Sequence, residues 1–278
     1  MRIAYLGPAG TFTEDALREA LWQGEEIERL RTPTVHDAIL AVENREADRA
    51  LVPFENSIEG SVRSTLDTLA FDTGGVTIVG EHDFAVHAYL IAGQPLELDA
   101  IAAVLSHPQP LAQCARFLRE NLPGAELRSV ESTAAAVKAV SEASAPWAAI
   151  GAQSAADLYG CTILREGIED EANNVTRFVW IAPAGTKPGA GEVWKTSLVF
   201  SELGADHPGA LVEALQEFSS RAVNLTRIES RPLRSELGRY MFFCDLEGGT
   251  SDPTVAEAIE ALEAKAASVQ ILGSYPVG

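Results

Sequence analysis

Asn173, Asn174, Thr176, Arg177 and Phe178 bring two amides, a hydroxyl, a guanidinium and an aromatic ring into six consecutive residues. Amides orient a ligand, a hydroxyl can hydrogen-bond a departing oxygen, and a guanidinium can clamp a carboxylate through two parallel bonds. The group lies between an acidic run (Glu166, Glu169, Asp170, Glu171) and an apolar run over 179–182 that reads as a buried strand. Polar groups at the mouth of a strand are how an open α/β sheet presents side chains to a crevice. The same six residues also suit a surface turn whose asparagines adopt left-handed geometry.

Three further polar clusters follow expected strands. Gly7-Pro8-Ala9-Gly10-Thr11-Phe12-Thr13 joins a strand over 3–6 to a helix over about 14–23, and Thr11 with Glu14 has capping-box spacing. Free N–H groups at such a helix start attract an anion; with no lysine in the loop, a carboxylate suits it better than a nucleoside triphosphate. A tight strand–helix turn explains the segment equally well. The cluster 53–61 follows a strand over 49–52, where Glu55, Asn56 and Ser57 either hold a substrate or introduce a helix over 62–69 capped by Ser61. Ser106 to Pro110 follows a strand over 103–105 and opens a helix over 111–121 that carries Gln113; Ser106 and Gln109 repeat the capping-box spacing. Strand ends of open α/β sheets share one crevice, so these clusters are expected to meet around a single ligand.

The elements that must position them alternate. Strands over 27–30, 76–79, 84–91, 127–130, 147–150 and 161–164 interleave with helices over 35–43 (behind Thr34), 133–143 and 152–159, predicting two α/β lobes with largely parallel sheets. The stretch 184–191 has linker composition. Beyond it the pattern is β-α-β-β-α-β, a ferredoxin-like unit: strand 196–200, helix 209–220, strands 225–230 and 240–246, helix 254–267 and strand 269–275. A chain of 278 residues with 46% hydrophobic content can core several such units.

A formal net charge of −19 without any basic stripe argues against nucleic acid. An anionic substrate would need a locally positive site. No apolar run approaches a membrane span, and the N-terminus reads as a strand and not a signal peptide, which predicts a cytoplasmic protein. Cys114, Cys161 and Cys244 are odd in number and far apart, as buried thiols in a reducing compartment would be. The histidines show no ligand spacing, so no metal is expected, and neither common nucleotide-binding glycine motif is present.

Taken in order, Gly7 to Thr13, Pro53-Phe54-Glu55-Asn56-Ser57, Ser106-His107-Pro108-Gln109 and Asn174-Val175-Thr176-Arg177-Phe178 resemble the motifs of prephenate dehydratases, with Thr13 where serine is expected. Gly209-Ala210-Leu211-Val212 and Glu229-Ser230-Arg231-Pro232 resemble the two effector motifs of the regulatory ACT domain. The resemblance implies an α/β, two-lobed, periplasmic-binding-protein-like catalytic domain over 1–184, with lobe one about 1–75 plus 170–184 and lobe two about 76–169. A linker over 185–194 and a ferredoxin-like ACT domain over 195–278 would follow. The implied activity is monofunctional: prephenate to phenylpyruvate, water and carbon dioxide, with no cofactor. Thr176 would be the essential catalytic residue, with Asn56, Ser106 and Gln113 beside it and Glu55 as a proton reservoir. Arg177, Phe178, Thr11, Phe12, Ser57 and Asn174 would bind substrate. L-Phenylalanine would meet His207, Pro208, Gly209, Ala210, Leu211, Asn224, Leu225, Thr226, Glu229 and Ser230. Pairing of ACT domains would give a dimer or a dimer of dimers. An arogenate dehydratase and a non-catalytic two-lobed amino-acid sensor are the alternative expectations.

Overall fold

The computed structural model describes residues 1–21, 27–203, 207–235 and 237–277. The chain forms two compact units: Met1–Leu66 with Asp83–Phe178, and Asp67–His82 with Val179–Gly278. The segment 67–82, which the expected lobe boundaries place with the catalytic lobes, therefore packs with the C-terminal chain.

The first unit carries two sheets. In one, β1 (Arg2–Leu6) is flanked in parallel by β2 (Glu28–Thr32) and β3 (Arg49–Asn56), and β11 (Val175–Pro183) lies next to β3. Helices α1 (Phe12–Ala20) and α2 (Val35–Glu43) make the crossovers. The end expected for α1 at Gln23 lies outside the described residues. Thr34 caps α2 as its position predicts, accepting from the Asp37 N–H at 3.0 Å. A short strand β4 (Gly60–Ser61) folds back on the end of β3, and α3 (Arg63–Asp67) follows.

The second sheet has the order β10-β6-β9-β7-β8, from β6 (Tyr89–Ala92), β7 (Ala103–Ser106), β8 (Glu126–Ser129), β9 (Trp147–Gly151) and β10 (Thr162–Arg165). Strands β7, β8 and β9 are parallel, while β6 runs antiparallel to both neighbours. The expectation of largely parallel sheets is corrected here. The link from β6 to β7, across β9, spans only residues 93–102 and carries a single short turn, Leu98–Ala100, less than the crossover that parallel strands require, whereas β5 (Val76–Ala85) belongs to the other sheet. The helix expected over 111–121 is two, α4 (Pro108–Gln113) and α5 (Ala115–Asn121), broken at Cys114. Helices α6 (Thr133–Glu142) and α7 (Gln153–Tyr159) complete the lobe.

The second unit bears out the β-α-β-β-α-β pattern. Strands β12 (Trp194–Ser201), β13 (Leu225–Pro232), β14 (Tyr240–Glu247) and β15 (Ser268–Pro276) order as β13-β14-β12-β15, all antiparallel. Helices α8 (Ala210–Ser219) and α9 (Pro253–Glu263) close one face over Leu198, Phe200, Phe218, Leu246 and Leu262. The first half of β5 runs parallel to β15, and Ile78 faces Gly273 so closely that a Cβ at 273 would stand 2.3 Å from the Ile78 carbonyl oxygen. Lys195 Nζ meets the buried Glu81 carboxylate at 2.6 Å in the same unit.

Cys114 and Cys244 are buried, and burial pushes both thiols up to about 12; Cys161 is half-buried. Among the described residues no helix is long and apolar enough to cross a membrane, and no group of three His, Cys, Asp or Glu could hold a metal ion.

Candidate active site

Both β3 and β11 run further than their apolar segments suggest, straight through the polar clusters at their ends. Side chains on a strand alternate between faces, so the β11 cluster is divided by parity. Asn174, Thr176 and Phe178 of that cluster, with Pro53 and Asn56 of the other, line a cavity of about 680 Å³ in the first unit. Glu55 and Arg177 turn the other way. Arg177 donates to the Glu55 carboxylate at 2.8 Å, and its guanidinium lies 5.0 Å from the centre of the Phe54 ring. These two were expected as carboxylate clamp and proton reservoir; neither is among the residues that line the cavity, and each carries the other's counter-charge.

The polar centre is ordered by backbone groups. Asn56 Oδ1 accepts from the N–H groups of Ile58 and Glu59, both at 3.0 Å. That settles which end of the amide is oxygen, so Nδ2 must face β11. There it donates to Asn174 Oδ1 at 2.7 Å and to Thr176 Oγ1 at 2.9 Å. Asn174, only 3% exposed, in turn donates to Gln113 Oε1 at 3.4 Å. With a lone pair of Thr176 Oγ1 taken by an amide N–H, the hydroxyl's own proton is left for whatever occupies the cavity.

Gln113 ends α4, and the acidic run places it. The Asp170 carboxylate accepts from the Arg116 and Phe117 N–H groups at the start of α5, and its own N–H donates to the Gln113 carbonyl at 2.7 Å. An anion at a helix N-terminus is favourable. Glu169 accepts from the Ala88 N–H at 2.9 Å and lies 3.0 Å from His87 Nδ1. Burial alone would raise the Glu169 carboxyl, but the His87 contact and the Ala88 N–H outweigh it, so the net shift is downward. A carboxylate with a depressed folded value stabilises above its unfolded value, 4.5 here, and that contribution is lost as pH falls through the lower folded one. Glu169→Gln is expected to lose about 1 kcal/mol in urea unfolding at pH 7, the difference between a charged and a neutral acceptor. Its penalty should shrink towards pH 3; an equal penalty at both pH values refutes the role.

Other expected residues divide in the same way. Thr11 and Phe12 line the cavity at the start of α1. Thr11 forms no side-chain cap; its hydroxyl donates to the Pro8 carbonyl, and Glu14 reaches back to the Gly10 N–H at 2.8 Å. The first-turn N–H groups at Phe12 and Thr13 thereby stay available to an anion. Ser106 does not line the cavity: it is 0% exposed and ties β7 to β9 by donating to the Ile150 carbonyl at 2.8 Å. Its expected capping role falls to His107, whose Nδ1 accepts from the Gln109 N–H. Ser57 is also diverted, donating to the Asn173 carbonyl and accepting from the Val175 N–H. Phe178 is 2% exposed and packs edge-on against Phe84, so it is both core and cavity wall.

Ser132 and Thr133, at the start of α6, also line the cavity and were missed in the sequence. The available signal was the one used at Ser106: a polar pair between a strand and a helix. Among the described lining residues there is no Arg or Lys and one acid, Glu131, so attraction for an anion rests on the N-termini of α1 and α6 and on side-chain donors.

In the second unit a cavity of about 270 Å³ opens at the start of α8, lined by His207, Gly209, Ala210, Leu211, Leu233, Tyr240 and Phe242, among others. Gly209 starts the helix at φ 100°, in the left-handed region. Pro208, Asn224, Leu225, Thr226, Glu229 and Ser230 do not line it. Leu225 packs on the domain core, Glu229 takes Arg227 at 3.0 Å, and Thr226 and Ser230 lie exposed on one face of the edge strand β13.

A family model described as prephenate dehydratase matches residues 3–186, and one described as ACT domain matches 200–264. The chain is 39% identical over 285 residues to a prephenate dehydratase of Mycobacterium tuberculosis, covering 100% of this chain and 88% of that one. A prephenate dehydratase structure from Arthrobacter aurescens in complex with L-Phe is 39% identical with a TM-score of 0.90, covering 99% and 90%. A structure titled as a novel type of quorum quenching acylase, GqqA, is 30% identical with a TM-score of 0.87, covering 100% and 98%.

Proposed function

Because this chain belongs to the prephenate dehydratase family and carries an ACT domain, we propose that it converts prephenate to phenylpyruvate, water and carbon dioxide at the cavity around Thr176. The observation that carries the reading is the Asn56–Thr176 hydrogen bond, in which Oγ1 accepts, so that the hydroxyl keeps its own proton to give to a ligand of the cavity.

Prephenate is a dianion whose ring carboxylate leaves as carbon dioxide while the ring hydroxyl leaves as water. Electrons of the breaking C–C bond form the ring π bond, and the C–O electrons depart with oxygen, so the ring becomes aromatic with no redox change. Thr176 Oγ1 gives its proton to the departing oxygen as the C–O bond breaks, so water leaves; the Asn56 N–H stabilises the negative charge left on Oγ1 until a proton from solvent restores the hydroxyl. The first turns of α1 and α6 receive the carboxylates. Phe178 and Phe12 wall the ring.

L-Phenylalanine is the effector, its carboxylate at the start of α8 and its side chain against Leu211 and Phe242. A second copy, paired along β13, brings up the exposed face carrying Thr226, Ile228 and Ser230; light scattering after gel filtration tests this pairing.

Incubation with prephenate, followed by phenylpyruvate absorbance in alkali, tests the activity: turnover is expected, and its absence leaves the sensor alternative. Repetition with arogenate separates the two dehydratases. The likeness to an acylase favours no second reading, since the amide N–H on Thr176 Oγ1 is a donor and cannot serve as a base to activate a nucleophile.

A further inference from the structure

We infer that Asp67, gripped by Arg231 and Arg234, is the link by which occupancy of the cavity at the start of α8 reaches the wall of the substrate cavity. This rests on the reading of the α8 cavity as the effector site.

The two ends are joined by short steps. Leu233 and Tyr240 line the α8 cavity, and the Leu233 N–H donates to the Arg239 carbonyl at 3.0 Å. The arginines of this segment converge on one carboxylate. Arg231 holds both oxygens of Asp67 at 2.8 and 2.9 Å, and Arg234 adds a contact at 2.7 Å. Arg234 also lies 4.3 Å from the centre of the Phe71 ring, in the π-helical turn Thr68–Asp72. Side-chain exposures of 18% for Arg231 and 19% for Asp67 set this pair apart from a solvated surface contact. Bidentate geometry transmits direction as well as attraction.

Asp67 is the last residue of α3, and α3 is bolted to the active-site strand. Val62 N–H donates to the Phe54 carbonyl at 2.9 Å, and Thr65 Oγ1 donates to the Pro53 carbonyl at 2.5 Å. Pro53, Asn56 and Val62 line the substrate cavity. A ligand that shifts Leu233 shifts its neighbours Arg231 and Arg234, which drag the Asp67 carboxylate with them. That pull biases the end of β3, which carries the amide that orients Thr176, and it is transmitted only while the carboxylate is gripped.

The test uses the full chain and Asp67→Asn. Wild type should be inhibited by L-phenylalanine. The variant should keep its uninhibited kcat and KM and bind L-phenylalanine in calorimetry within about threefold, yet need about 5–150-fold more for half-inhibition, the usual range of coupling between sites. Coupling is reciprocal, so substrate analogue should also lose its effect on L-phenylalanine affinity. Backbone amides over 62–66 should exchange faster with deuterium, and Asp67→Glu should restore part of both effects. Arg234→Ala, at a half-exposed position, offers the same readout should Asp67→Asn fold poorly. Inhibition and exchange identical to wild type would overturn the link, as would loss of L-phenylalanine binding itself. A wild type that binds no L-phenylalanine removes the effector reading, and the exchange arm still decides the mechanical link.

Discussion

Replacing Thr176 with Val should lower kcat by about 10²–10³ and leave KM nearly unchanged, the loss of one well-placed donor to a developing charge. Valine matches threonine in shape, so the strand and the cavity wall should persist. The deleted group is the only part of residue 176 that can bond a departing oxygen. Thr176→Ser, which keeps the hydroxyl, should retain most of the activity. A near-normal kcat in the valine variant, measured under saturating prephenate, would remove Thr176 from the reaction. A large rise in KM alone would mean that the hydroxyl binds substrate and transition state equally.

Asn56→Asp should be more damaging than Asn56→Ala, although it changes the side chain least. An aspartate oxygen can still accept from the Ile58 and Glu59 N–H groups, as Asn56 Oδ1 does. The other oxygen would face Asn174 Oδ1, now 2.7 Å from a donor, and Thr176 Oγ1, now 2.9 Å from it. Thr176 would then turn its proton towards the carboxylate and away from substrate, and a new negative charge would oppose a dianion. A loss of kcat of at least about 10² is expected, together with a rise in KM. Two acceptors left face to face, Asn174 buried and residue 56 half-buried, should cost about 1 kcal/mol in urea unfolding. The sign of the pH effect follows: protonation restores a donor, so the activity of Asn56→Asp relative to wild type should climb as pH falls. An alanine variant that is the slower of the two, or a flat pH ratio, would show that Asn56 does not set the direction of the Thr176 proton.

These expectations rest on different levels of information. The order of strands and helices was legible along the chain because apolar periodicity and turn residues are local. Thr34 caps its helix as its spacing says, and the β-α-β-β-α-β pattern after the linker is the one observed. Local signals are weakest where two structures satisfy them equally. Gln113 is held in place by Asp170, an acidic residue that reads along the chain as solvated surface.

What the sequence by itself determined is membership: clusters far apart in the chain contribute residues to one cavity, because strand ends in an α/β sheet face one crevice. What only the tertiary structure decided is which members face the ligand. With the apolar runs ending at 52 and beginning at 179, the residues between strand and cluster read as loops, where no alternation applies. Once β11 extends through its cluster, a two-residue period divides it, with a phase set by which face the rest of the protein covers; on β3 packing decides residue by residue, since Phe54 lies against Arg177 while Pro53 and Asn56 both line the cavity. Asn56 and Thr176 turn inward, Glu55 and Arg177 outward, and Ser106 disappears under β9. The hold of Arg231 on Asp67 belongs to the same class: two residues far apart in sequence become partners only when separate strands and helices have packed.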